Sequence, residues 1–150
     1  MLDSLKDPEN GEAVFNLGLV HIEKGDFEEA LRDYNIFLEK IDPGYAVAYN
    51  NRGIAYFRLK KYDRAMENYN KAIELDPDSG LTYSNRGVVY SDMKQYERAI
   101  EDYNKAIELN PEHANAYTNR GTAYRDKGAL ERALEDYNKA TELTPEDPEV

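Results

Sequence analysis

A step of 34 residues recurs along this chain and restricts it to a repeat architecture. Pro43, Pro77, Pro111 and Pro145 keep that step, as do Gly53, Gly87 and Gly121. Ala65, Ala99 and Ala133 follow it, and so do Ala72, Ala106 and Ala140. The tyrosines form parallel series: Tyr49, Tyr83 and Tyr117; Tyr56, Tyr90 and Tyr124; Tyr69, Tyr103 and Tyr137. An earlier copy shows in Gly18, Ala30 and Tyr34, displaced by 35 from Gly53, Ala65 and Tyr69, with the extra residue between Ile36 and Asp42. Twelve of the 13 tyrosines fall on repeat positions, so their rings are structural parts first. A period of this size means one supersecondary unit per copy, stacked because no copy can bury its apolar face alone.

Inside a copy the period turns helical. Tyr49, Gly53 and Tyr56 stand at i, i+4 and i+7, on one face of a first helix, A, over about Ala46 to Leu59. Ala65, Tyr69, Ala72 and Ile73 do the same for a second helix, B, over about Tyr62 to Leu75. Lys60 and Lys61 fill the turn, and Pro77 ends helix B because its ring lacks an N–H and disfavours helical geometry in the residue before it. Small Gly53 and Ala65 are expected where two helices meet, with tyrosines filling the wider gaps. The pattern predicts an all-α solenoid of four helix-turn-helix repeats and eight helices. It forms a single array with repeats at about 11–43, 44–79, 80–113 and 114–147.

Tyr83, Gly87, Tyr90, Ala99, Tyr103, Ala106 and Pro111, with their counterparts in neighbouring copies, resemble the tetratricopeptide-repeat (TPR) signature. The resemblance covers about Pro8 to Pro145. The first copy departs from it, with Val14 and His21 where the others have tyrosine and bulky Phe37 or Leu38 near the last small residue. Arg52, Arg86 and Arg120 also depart, since the family usually has leucine there; the first copy keeps Leu17. Each arginine is expected to pack its stem between helices and pair with a carboxylate on an adjacent helix, because a lone buried charge is costly.

The resemblance implies a right-handed superhelix whose A helices line a concave groove that holds a peptide or protein segment. Carried over residue by residue, the groove takes Glu12, Phe15, Asn16, Leu19, Ile22 and Glu23 from the first copy, and Val47, Asn50, Asn51, Ile54, Phe57 and Arg58 from the second. The third adds Leu81, Ser84, Asn85, Val88, Ser91 and Asp92, and the fourth Asn115, Thr118, Asn119, Thr122, Arg125 and Asp126. Phe15, Leu19, Ile22, Ile54 and Phe57 together would make an apolar patch of the kind that marks binding sites. Asn16, Asn51, Asn85 and Asn119 recur in register. A carboxamide donates and accepts, so such a ladder suits the backbone of an extended peptide. Each asparagine equally suits a bond to a neighbouring helix that only spaces the repeats. Chaperone-binding members use a clamp of Lys, Asn and Arg for an acidic tail. Here Phe15 and Leu19 stand at its first two positions, or Asn50 and Ile54 one copy later, so the lysine is missing in either frame.

Charge narrows the partners. Nineteen basic against 30 acidic residues give a net −11, which repels nucleic acid and anionic membrane and attracts a basic segment. The second copy is a mildly basic island with Arg58, Lys60, Lys61 and Arg64. There is no cysteine, no phosphate-binding Gly-rich loop and no His-x-x-x-His or calcium-loop spacing, and His21 and His113 lie copies apart. The expectation is therefore a soluble, cytoplasmic binding protein, neither an enzyme nor a cofactor carrier. Its partner is a protein or peptide segment, basic or apolar. The alternative is a repeat module that stacks end to end. Ala129, Leu130, Ala133, Leu134, Tyr137 and Leu143 of the last hairpin would form the self-assembly face, as a capping helix is not expected from Glu146 to Val150.

Overall fold

The computed structural model describes residues 8–144, and every regular element among them is an α-helix. In order these are α1 (Pro8–Lys24), α2 (Phe27–Lys40), α3 (Ala46–Arg58), α4 (Tyr62–Leu75), α5 (Gly80–Asp92), α6 (Tyr96–Leu109), α7 (Ala114–Asp126) and α8 (Leu130–Leu143). Odd-numbered helices are of type A and even-numbered helices of type B. The bounds of α3 and α4 match those read from periodicity to within a residue. The chain divides into two compact units, one ending at Pro77 and one beginning at Asp78, each with two hairpins. The self-assembly residues up to Leu143 lie within the described range, whereas Glu146 to Val150 lie outside it.

Both units use one joint. A Cβ placed on Gly53 would sit 2.7 Å from the Tyr69 ring, and one on Gly87 would sit 2.7 Å from the Tyr103 ring. The missing side chain is thus the space the tyrosine occupies, and Tyr34, Tyr69 and Tyr103 are almost wholly buried. Ala65 and Ala99 are fully buried beside them, as expected of small residues at a helix crossing.

Turns inside the hairpins need a left-handed residue. Gly25 and Gly128 occupy that position, and Lys60 (φ 60°) and Lys94 (φ 58°) adopt it without being glycine. The reversal carries a backbone bond from the second residue past the bend to the end of helix A, as in Gln95 N–H to the Tyr90 carbonyl at 2.8 Å.

On the B-helix surfaces the ion pairs run at i,i+3. Lys71 pairs with Glu74, Lys105 with Glu108 and Lys139 with Glu142. An i,i+4 pairing of Glu67 with Lys71 would suit the same sequence, but Glu67 faces Arg64 instead, at 3.3 Å. These are exposed pairs, screened by water, and contribute little to stability.

Candidate functional site

In the second unit each A-helix arginine reaches its own B helix through two hydrogen bonds. Arg86 donates Nε and Nη2 to Asp102 at 2.8 and 2.7 Å, and Arg120 donates the same atoms to Asp136 at 2.8 and 2.6 Å. Both carboxylates are buried, and they hold the guanidinium groups above their ordinary pKa against the opposing effect of burial. Arg120 also reaches the preceding B helix, donating Nη1 to Asn104 at 2.7 Å. The first unit repeats the bridge with neutral partners: Arg52 donates Nε to Asn68 at 2.7 Å and Nη1 to Asn35 at 2.8 Å. In the first copy Leu17 replaces the arginine, and Asp33, in register with Asn68 and Asp102, pairs with His21 at 2.6 Å. The carboxylate expected for the arginines is therefore present for Arg86 and Arg120, and an asparagine stands in for it at Arg52.

In the first unit a pocket open to solvent lies between α1, the end of α2 and the start of the second hairpin. It is lined by Gly11, Glu12, Phe15, Phe37, Ile41, Asp42 and Tyr45. Phe15, Phe37 and Tyr45 contact one another with ring centroids 5.3–5.5 Å apart. Tyr45 is 39 % exposed, so the cluster presents an aromatic edge to water. Glu12 and Asp42 put two carboxylates at the rim. Tyr45 was not among the predicted groove residues. The signal for it is that it alone among the tyrosines stands off the repeat positions, in register with Ser79 and His113. In the second unit the corresponding pocket is lined by Asp78, Ser79, Gly80, Leu81, Leu109, Asn110 and His113, and lacks the aromatic rings.

The other predicted groove residues divide by exposure. In the first unit Asn16 and Val47 are exposed, and Leu19, Ile22, Ile54 and Phe57 are half-buried. Phe57 is stacked on Tyr62 at 5.9 Å. Asn50 and Asn51 are buried, and Asn50 Nδ2 donates to Asn51 Oδ1 at 3.2 Å. In the second unit Leu81 and Asn115 are exposed, Ser84 is buried, and Asn85, Val88, Asn119 and Thr122 are half-buried. Thr122 Oγ1 donates to the Thr118 carbonyl at 3.0 Å. The recurring asparagines thus differ: Asn16 is open, Asn85 and Asn119 are partly open, and Asn51 is engaged inside the unit.

On the last hairpin Leu130 and Leu134 are 65 % and 60 % exposed. Leu143 is half-buried. Tyr137 turns inward, its ring 3.0 Å from a Cβ built on Gly121 and its hydroxyl 3.1 Å from Thr122 Oγ1. Ala133, expected to be partly open, is only 3 % exposed because it sits in the joint between α7 and α8.

The tetratricopeptide repeat family model matches residues 46–79, 81–113 and 114–147, and a second model of that repeat matches residues 4–46. The chain belongs to the tetratricopeptide repeat family. Among curated relatives, Hsp70-Hsp90 organizing protein 2 of Arabidopsis thaliana is 32 % identical over 69 residues, 46 % of this chain and 12 % of that protein. This chain therefore spans about an eighth of that relative's length. The crystal structure of MamA superposes with a TM-score of 0.80 at 32 % identity, covering 94 % of this chain and 82 % of that one. The first TPR of Spaghetti (RPAP3), bound to the HSP90 peptide SRMEEVD, gives 0.75 at 28 % identity, over 81 % of this chain and 96 % of that one. Tetratricopeptide repeats are interaction modules. Among the described residues no helix is long and apolar enough to cross a membrane.

Proposed function

We propose that this chain is a cytoplasmic, non-catalytic scaffold that binds a peptide segment along its A helices, apolar side chains anchoring it and carboxamides holding its backbone. The observation that carries this is the partly exposed aromatic pocket at Phe15, Phe37 and Tyr45, in the unit that also exposes Val47. Apolar anchors supply most of the affinity, because each backbone hydrogen bond to an exposed carboxamide of the same unit, such as Asn16, nets only about 0.5–1.5 kcal/mol. The fold is shared with a structure that holds SRMEEVD, but the lysine of the acidic-tail clamp is replaced by Phe15 or Asn50. Glu12 and Asp42 at the rim, and the net charge of −11, favour a basic segment with an apolar or aromatic residue.

The test is a titration by fluorescence anisotropy with two labelled probes, SRMEEVD and an amidated peptide with one tryptophan between lysine pairs. The basic probe is expected to bind at least about tenfold tighter, and Tyr45→Ala to cost it about tenfold. Asn16→Ala, in the same unit as the pocket, should cost a few-fold with little change in melting temperature. Equal binding of the two probes, or binding indifferent to Tyr45→Ala, would sink the assignment.

A further inference from the structure

We infer that the tip of the second hairpin holds a carboxylate of the same ligand, so the bound segment is basic and apolar at one end and carries an aspartate or glutamate at the other. This rests on the Phe15, Phe37 and Tyr45 pocket being the anchor for the apolar end. The stretch from Phe57 to Arg64 has four cations, Arg58, Lys60, Lys61 and Arg64, against one carboxylate, Asp63. All four cations are exposed. Arg64 is paired with Glu67 at 3.3 Å, whereas Arg58 and Lys60 are placed by aromatic faces. The Arg58 guanidinium lies over the Phe27 ring at 5.0 Å. Lys60 Nζ lies 5.5 Å from the Phe57 centroid and 5.8 Å from that of Tyr62, and these two rings are stacked at 5.9 Å. A ring face positions a cation while leaving N–H groups to donate to a carboxylate.

This tip is peculiar to its copy. At the register of Arg58 the other copies have Glu23, Asp92 and Asp126, and at that of Lys61 they have Asp26, Gln95 and Ala129. Glu23 and Asp26 belong to the turn that also carries Phe27, so the positive charge is local. A polyanion meets those acids as well, while a single carboxylate fits between them and the cations.

Helix α3 joins the tip to the pocket. Tyr45, its N-cap, lines the pocket, and Arg58 is its last residue. Val47, Ile54 and Arg58 stand at i, i+7 and i+11 and share one face, with Val47 and Arg58 exposed and Ile54 half-buried. From Tyr45 to Arg58 the helix rises about 20 Å. An extended peptide covers that in about six residues. The two frames of the acidic-tail clamp fall at Phe15 and Leu19 or at Asn50 and Ile54, so Arg58 and Lys61 lie beyond both.

The test extends the lysine–tryptophan probe through a flexible spacer to one glutamate about six residues from the tryptophan. A twin carries glutamine there, and a second pair places the added residues on the N-terminal side; all are acetylated and amidated. In one of the two orders the glutamate peptide is expected to bind about threefold to fivefold tighter than its twin by anisotropy. The net charge of −11 acts with the opposite sign, since an added anion is repelled by the molecule as a whole. Arg58→Gln with Lys61→Gln should abolish the advantage and leave the glutamine twins within about twofold. Lys61→Gln alone should remove part of it and serves if the double variant melts early. Lys60, at φ 60°, is kept so that the turn is unchanged. The inference is overturned if glutamate gives no advantage in either order, or if the advantage survives the loss of these cations. Glutamine twins that do not bind, or bind indifferently to Tyr45→Ala, would end the pocket assignment and this inference with it. Twins that bind through Tyr45 with no gain from glutamate would leave the pocket standing and remove the tip alone.

Discussion

At Arg52 a half-buried guanidinium is held by two neutral carboxamides, while Arg86 and Arg120 each hold a carboxylate with two bonds. Hydrogen bonds to charged partners are the stronger kind, so Asn68→Asp should stabilise the first unit by about 1 kcal/mol, read as a higher urea midpoint. The offset is the bond from Asn68 Nδ2 to the Arg64 carbonyl at 2.8 Å, which aspartate cannot make. A lower midpoint would show that this bond outweighs the new pair. The buried tyrosines make a second prediction. Burial pushes the Tyr34 and Tyr103 phenols from 10.0 up to about 12 and raises Tyr69 further. The Asn51 side chain opposes the shift at Tyr34, although the Tyr34 hydroxyl makes no hydrogen bond of full geometry. Below pH 10 all three phenols are neutral in both states and their contribution is complete. Above it the unfolded chain releases protons first, so stability falls as pH rises through the folded values. Urea midpoints at about pH 8 and about pH 11 should drop steeply between the two, and a flat profile would contradict the burial assigned to these rings.

Helices were readable because glycine, tyrosine and alanine recur in one register, and that register is the hairpin joint itself. The turns between A and B helices were readable as turns, but their handedness was not. Lys94 at φ 58° occupies the position that Gly128 fills at φ 90°. A side chain there costs about 1 kcal/mol, so Lys94→Gly should raise the melting temperature although it removes every contact of the side chain. The same change at an ordinary helical position, such as the exposed Glu101, should lower it by a comparable amount, and both melts are needed to separate local strain from chain entropy. What the elements hid is which side chains meet. The recurring asparagines looked equivalent, yet Asn51 is buried and bonded to Asn50, an asparagine with no counterpart at Ser84 or Thr118. The aromatic pocket needs Phe37 at the end of a B helix and Tyr45 outside the repeat pattern to converge on Phe15, and linear spacing carries no sign of that convergence. The arginine partners were legible as a class, since a charge among apolar positions demands an acceptor. Which of them would find asparagine in place of aspartate on its own B helix depended on position 68 alone.

For the molecule as a whole, a net charge of −11 acts at distances where no single contact does. If the partner is a basic, apolar peptide, its encounter is steered by that field and its residence is set by the aromatic pocket. Salt separates the two, because the screening length is about 10 Å at 0.1 M and about 3 Å at 1 M. Long-range attraction is lost across that range, while ring contacts in the pocket are barely affected. Stopped-flow binding of the lysine–tryptophan probe at about 0.02 M and about 0.5 M salt should show the association rate falling about tenfold with little change in dissociation. Tyr45→Ala should do the reverse, speeding dissociation and leaving association nearly unchanged. A dissociation rate that rises with salt as much as association falls would place the attraction in short ion pairs at Glu12 and Asp42, making the rim, and not the overall field, the source of selectivity.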